Sequence, residues 1–218
     1  MHSFTEENYL KAIYHLSEAN LLAVSTNQIA EMTNTKAASV TDMLKKLAEK
    51  KLIHYIRYQG VTLTNSGLTA AVNIIRKHRL WEVFLVEKLG FKWDEVHDIA
   101  EELEHINSEA LINRLDDFLG NPVADPHGDP IPDKSGKIKQ KKLVKITDMQ
   151  AGESGTVSGV SQHSSLFLKL LDKLGLTLGT GVKILELNEY DGSIMLSIDR
   201  SKEQTISRDV AKNILVIL

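Results

Sequence analysis

Apolar positions recur at helical spacing through the first half of this chain and at strand spacing through its last third. In "TEENYLKAIYHLSE", residues 5–18, Leu10, Ile13, Tyr14 and Leu16 form one stripe, with Thr5 placed to cap the helix. Ser25 or Thr26 caps a short helix over 27–32, "TNTK" carries turn chemistry, and "AASVTDMLKKLAEKK" turns Val40, Met43, Leu44 and Leu47 to one side. "LIHYIRYQGVTLT" then reads as two short strands meeting near Gln59-Gly60. Two short helices followed at once by a hairpin predict a winged helix–turn–helix.

Three further helices follow: 68–90, stopped by Gly90; "WDEVHDIAEELEHI", with Asp94 as N-cap; and "NSEALINRLDDFLG", stopped by Gly120. Residues 121–146 hold all 4 prolines, so no helix runs through them. Beyond them strand patterns return, with Asp191-Gly192 as a hairpin signal and "SSLFLKLLDKLG" as a lone helix. The expected architecture is mainly α with a β C-terminal domain. It divides into a winged helix–turn–helix over 1–70, a helical metal-binding and dimerisation domain over 71–120, a Pro-containing linker over 121–146, and a small SH3-like β-barrel over 147–218.

Composition changes this picture little. The 218 residues are 42% hydrophobic and 25% charged, ordinary for a globular protein. No apolar run approaches the ~20 residues that span a bilayer, and "MHSFTEENYL" lacks the layout of a signal peptide. With Cys 0 there is no thiolate site. A cytoplasmic protein without membrane association is expected. The net charge of -3 does not announce a nucleic-acid partner, but it is unevenly spread, with the acidic excess concentrated in 71–120.

That acidic block carries the candidate chemistry. In "VHDIAEELEHI", residues 96–106, His97, Glu101, Glu104 and His105 fall within roughly a 100° arc of a helix. No lysine balances them there. In the preceding helix His78 and Glu82 share a face at i, i+4. Imidazole with carboxylate and no sulfur suits Mn(II), Fe(II), Co(II), Ni(II) or Zn(II). Taken alone, the His78/Glu82 pair is an ordinary hydrogen bond and the acidic face a solvated one; together in one domain they favour metal. Glu102 and His105 also form a Glu-x-x-His pair of the di-iron kind, but a second pair is missing from the sequence.

The order of these segments, with "RKHRLWEVFL", "VHDIAEELEH" and "DPHGDPIP", resembles the diphtheria toxin repressor family of metal-dependent transcription regulators, including its manganese-responsive branch. The resemblance covers essentially the whole chain. It implies one metal site at Asn8, Glu101, Glu104 and His105, and another at His78, Glu82 and His97, with His163 of "SQHSS" as a further ligand from the barrel. Iron-responsive members carry Cys or Met in the first site; the oxygen and nitrogen donors here favour Mn(II), with Fe(II) as the alternative. Manganese-branch members usually have Asp where this chain has Asn8; Glu7 is adjacent but points about 100° away along the helix.

The leading expectation is a homodimeric repressor of metal-ion homeostasis, activated by divalent metal to bind a palindromic operator in double-stranded DNA. Lys36 and Lys46 would contact phosphates, Ala38 and Ser39 would lie at the helix start, Thr41 and Asp42 would read base edges, and Arg57 would reach DNA from the wing. No catalytic residue and no small-molecule substrate is expected. A metal-buffering protein and a metal-dependent hydrolase remain as alternatives, but neither explains the helix–turn–helix.

Overall fold

The computed structural model describes residues 2–20, 23–56, 59–139 and 141–218. They form two compact units, one from 1–78, 102–109 and 132–137, the other from 79–101, 110–131 and 138–218. No helix among the described residues is long and apolar enough to cross a membrane.

In the first unit α1 spans Phe4–Asn20 and buries Tyr9, Leu10, Ile13 and Tyr14. Its cap is Ser3 rather than Thr5: the Ser3 Oγ accepts from the Glu6 amide at 3.3 Å, and the Ser3 amide donates back to Glu6 Oε2 at 3.0 Å. α2, Thr26–Met32, has the same reciprocal cap between Ser25 and Gln28. α3, Ala37–Glu49, buries Val40, Leu44 and Leu47. The turn before α3 is held to α1 through the hydroxyls of Tyr9 and Thr35, 3.1 Å apart. β1, Ile53–Ile56, and β2, Gly60–Leu63, pair antiparallel as the expected hairpin, and an isolated bridge from Val24 to Val61 extends it. Together these elements make a winged helix–turn–helix.

α4 runs over Asn65–Leu89, beginning three residues before the apolar pattern suggests. Gly90 takes φ +74°, as its stop signal requires. α5 is short, His97–Leu103, and α6 is Glu109–Phe118. Asp94 does not cap α5. Its Oδ2 accepts from the Ser165 hydroxyl at 3.1 Å and lies 3.3 Å from Lys169 Nζ, while residues 93–96 form turns.

The C-terminal region is an antiparallel sheet in the order β3-β8-β4-β5-β6-β7, built from Val144–Lys145 (β3), Ser154–Val160 (β4), Gly181–Leu187 (β5), Ile194–Ile198 (β6), Lys202–Ile206 (β7) and Ile214–Ile217 (β8). α7, Ser165–Leu174, and the single-turn α8, Arg208–Ala211, lie between strands. The sheet is SH3-like without being closed. Its core includes Val157, Leu168, Leu171, Ile184, Leu196, Ile214 and Val216. The Asp191-Gly192 turn is wider than the two-residue hairpin expected, since the loop closes between Asn188 and Ser193. Trp93 packs on this core and donates its indole N–H to Asp172 Oδ1 at 3.0 Å, so the chain leading into α5 is stapled to α7.

The proline segment is ordered where it crosses β4. Asp125 Oδ1 accepts from the amides of His127 (2.8 Å) and Asp129 (3.0 Å), and the His127 carbonyl accepts from the Val160 amide at 3.0 Å. Gly128 sits at φ +91° against the backbone of Ser158 and Gly159, where a Cβ would overlap the Ser158 carbonyl. Gly128→Ala is therefore expected to lower stability by more than ~1 kcal/mol, read as a fall in melting temperature, because strain and overlap act together. An unchanged melting temperature would contradict this packing.

Candidate metal centres and the exposed face of α3

Among the described residues each unit holds its own cluster of histidine and carboxylate, and the expected ligands are distributed between them differently from the sequence reading. The cause is partly local. α5 ends at Leu103, so Glu104 and His105 lie in a turn beyond the helix and not on its continuing face.

In the first unit Glu104 is fully buried. Its Oε2 accepts from His78 Nδ1 at 2.7 Å, and both its oxygens accept from the Lys11 ammonium at 2.8 Å. His105 Nδ1 donates to Glu7 Oε2 at 2.6 Å, and its ring stacks on Phe4 with centroids 4.5 Å apart. Asn8 is exposed; Glu7, one position earlier, is the α1 carboxylate that meets His105. Burial pushes the Glu104 carboxyl up, but the His78 hydrogen bond and the Lys11 charge outweigh it and hold it below the usual carboxylate range. Lys77 is half-buried and feels both Glu7 and Glu104, with burial pulling its own pKa down. Two carboxylates thus face two lysines, and the group is close to neutral without any added ion.

The second unit gathers a different set. Glu82 on α4 and Asp125 and His127 on the proline loop offer ligand atoms that all lie within 4.8 Å of one another, and all three residues are buried. His127 is fully buried. Its Nε2–H donates to the Trp93 carbonyl at 2.8 Å, which directs Nδ1 at the carboxylates. Nδ1 lies 3.4 Å from Glu82 Oε2, near enough for charge attraction, yet it has no hydrogen-bond partner among the described residues. An imidazole oriented through one nitrogen, with the other bare beside two carboxylates, fits a divalent cation.

Further groups surround this trio. His97 Nδ1 is 3.6 Å from Glu82 Oε1, and its Nε2 is 3.8 Å from Glu101, so Glu101 stands beside His97. His163 stacks on His127 with centroids 4.6 Å apart, and its Nε2 lies 3.7 Å from Asp129 Oδ2. Burial and the neighbouring His127 hold His163 below the ordinary histidine value, which keeps its lone pair available. Arg79 approaches Asp125 (3.6 Å) and Asp129 (3.4 Å) while donating to the Pro130 carbonyl at 2.6 Å. Glu82, Asp125 and Asp129 thus gather around His127 and Arg79, and a divalent cation could take the place of protons held in this group.

Asp125 and His127 were not among the expected ligands. "DPHGDPIP" pointed to a family, but its acid and imidazole follow no helical or strand period that could show them meeting Glu82.

On α3, Lys36, Ala38, Ser39, Asp42 and Lys46 are exposed. Thr41 is half-buried, and its hydroxyl donates to the Ala37 carbonyl at 2.9 Å. Asp42 lies 3.2 Å from Lys45 Nζ, which tempers its charge. Arg57 lies outside the described residues.

Residues 1–61 match the family model of the iron dependent repressor N-terminal DNA binding domain, and 64–133 that of the iron dependent repressor metal binding and dimerisation domain. Residues 144–218 match the FeoA domain. The iron-dependent repressor IdeR of Mycobacterium tuberculosis is 30% identical over 182 residues, covering 78% of this chain and 77% of that protein. A solved manganese-dependent transcriptional repressor complex with manganese is 36% identical, covers 97% of this chain and 99% of its own, and superposes with a TM-score of 0.89. The manganese regulator SloR is 33% identical, with 97% of each chain covered and a TM-score of 0.78.

The second cluster gives a pH prediction. Burial and the charges of Glu82 and Asp129 push Asp125 up to about 8. Burial pulls His127 down, but attraction to Glu82 carries it up to about 9. Both groups then hold protons in the folded metal-free state that the unfolded chain has lost. Asp125 makes metal-free stability fall as pH rises from its ordinary value toward about 8, and His127 does so from its ordinary value through about 9. A divalent cation held by these groups would displace those protons, so its affinity should rise from pH 6 to 9 with release of up to about two protons per ion. Isothermal titration in buffers of different ionisation enthalpy measures this directly; a pH-independent affinity would exclude these two ligands.

Proposed function

The chain belongs to the iron-dependent repressor family, that of the diphtheria toxin repressor, and is a metal-dependent DNA-binding transcriptional repressor rather than an enzyme; from that premise we propose that Mn(II) activates it as a dimer on a palindromic operator. The observation that carries the metal reading is the buried His127 Nδ1, bare between Glu82 and Asp125. Glu82, Asp125 and His127 would hold the ion, with His163 and His97 as further donors. When bound, the cation supplies a charge cross-link between α4 and the proline loop. The mixture of carboxylate and imidazole with no thiolate suits Mn(II) on hardness, and Fe(II) is the second reading because several histidines lie close by.

The first cluster serves DNA binding by position. Glu7, Lys11, His78, Glu104 and His105 tie α1 and α4 to the turn after α5. α1 in turn braces the turn ahead of α3 through Tyr9 and Thr35. A change at Glu104 is thereby felt at the helix whose exposed Lys36, Ser39, Asp42 and Lys46 would face DNA. In a dimer, two such helices would need centres about one DNA turn apart, ~34 Å, to enter successive major grooves. Metal and operator would bind cooperatively because both favour the same arrangement, and a coupling of ~1–3 kcal/mol gives a 5–150-fold switch.

Fluorescence anisotropy on operator DNA tests this. Affinity should rise at least about fivefold with Mn(II) and return to the lower value with chelator; identical curves with and without metal would reject metal activation. Glu104→Ala should damage activation more than His97→Ala. It removes the buried carboxylate that Lys11 and His78 share, and breaking such a buried pair costs on the order of 3–5 kcal/mol, whereas His97 is 44% exposed. Equal losses would argue against the role given to Glu104.

A further inference from the structure

The first cluster has one feature that the ligand chemistry alone does not explain: a lysine ammonium sits at hydrogen-bond distance on its buried carboxylate. Both oxygens of Glu104 are already taken by a primary ammonium at 2.8 Å, a length typical of a charge-assisted hydrogen bond. The Lys11 side chain is nearly as sheltered as its partner, 13% exposed against 0%. It reaches across from α1 to a residue 93 positions away, so it is a tertiary clasp and not a helix-surface pair. The remaining approach to Oε2 is filled by His78, and His105 is engaged with Glu7. In the second cluster Glu82 lies 3.4 Å from His127 Nδ1, and Asp125 lies 3.6 Å from Arg79.

We propose that Lys11 is a built-in counter-ion for Glu104, so that a divalent cation gains this carboxylate only by displacing the Lys11 ammonium. Lys11 acts as a positioning and selectivity residue. It keeps α1 attached to the turn after α5 in metal-free protein, and it lowers the affinity of the first cluster for metal relative to the second. Loading is consequently ordered: the Glu82–Asp125–His127 cluster fills at low free metal, and the Glu104 cluster only when metal is abundant enough to compete with a tethered charge. The physical basis is that two cations cannot share one buried carboxylate without strong repulsion in a weakly screening interior. This inference rests on the metal reading proposed above and adds the order of filling and the residue that sets it.

The test uses full-length protein and Mn(II) alone, with free ion followed by its paramagnetic resonance signal. In wild-type protein two phases of binding are expected, and His127→Ala should remove the tighter one. If His127→Ala removes no Mn(II), the metal reading itself fails. In the His127→Ala background, Lys11→Gln should tighten the remaining phase by about tenfold or more, as expected when an adjacent like charge is deleted. Lys11→Arg, which keeps the charge, should leave it near its starting value. Tighter binding with Gln but not with Arg supports the counter-ion. A Lys11→Gln phase that is unchanged, weaker or still absent overturns it, because removing the tethered charge has then failed to open the carboxylate.

Thermal melting gives a second readout that does not depend on resolving two phases. In chelator, Lys11→Gln should melt below wild type, since Glu104 has lost its clasp. Saturating Mn(II) should close that gap by occupying the vacated carboxylate. A gap of the same size with and without Mn(II) would mark Lys11 as a structural residue only and overturn the proposal.

Discussion

A carboxylate buried away from water must be met by positive charge or keep its proton, and that constraint organises both clusters. Glu104 meets it with Lys11 and His78. Asp125 meets it by holding its proton up to about 8, and Glu82 lies beside an imidazole whose pKa is raised to about 9. A protonated acid beside a protonated base is a placeholder, replaceable by any ion that brings charge and accepts oxygen and nitrogen donors. A salt bridge to a lysine anchored in a helix is far harder to replace. The same residue types therefore have their charge balanced largely by held protons in one unit and by a lysine in the other.

The surrounding fold exists to hold these groups in place. α4 supplies His78 to one cluster and Glu82 to the other, and its buried apolar residues fix the rotation of both side chains. The proline loop is held flat on β4 by Gly128 and by the Asp125 turn, so Asp125 both shapes its own loop and presents its carboxylate inward. Asn8 and Glu7 show how finely this is set: a single step along α1 decides which side chain is buried against His105 and which faces water.

Much of the molecule was legible in its sequence. Period-3.6 stripes located α1, α3 and α4; Ser25 marked the start of α2 and Gly90 the end of α4, as capping chemistry requires; Gln59-Gly60 located the wing. Less legible were the tertiary partners, which local geometry does not determine. A helical wheel drawn through His97, Glu101, Glu104 and His105 assumes a helix that stops at Leu103. The i, i+4 spacing of His78 and Glu82 says that they share a face, but not that Glu104 packs against the first of them. Asp125 and His127 sit in a segment with no period at all. Lys11 belongs to no stripe or motif in the sequence, and nothing local reveals that its ammonium lies on a carboxylate 93 positions away.

One hydrogen bond described above has a wider consequence. His127 Nε2–H is committed to the Trp93 carbonyl, and the Trp93 indole is in turn committed to Asp172 on α7. The tautomer of a buried imidazole is thus dictated by a helix of the C-terminal domain, more than forty residues downstream. Loosening α7 would free the Trp93 indole and, through the Trp93 carbonyl, the anchor that sets the His127 ring against Glu82, so the packing of the sheet domain reaches a buried imidazole that it does not itself supply.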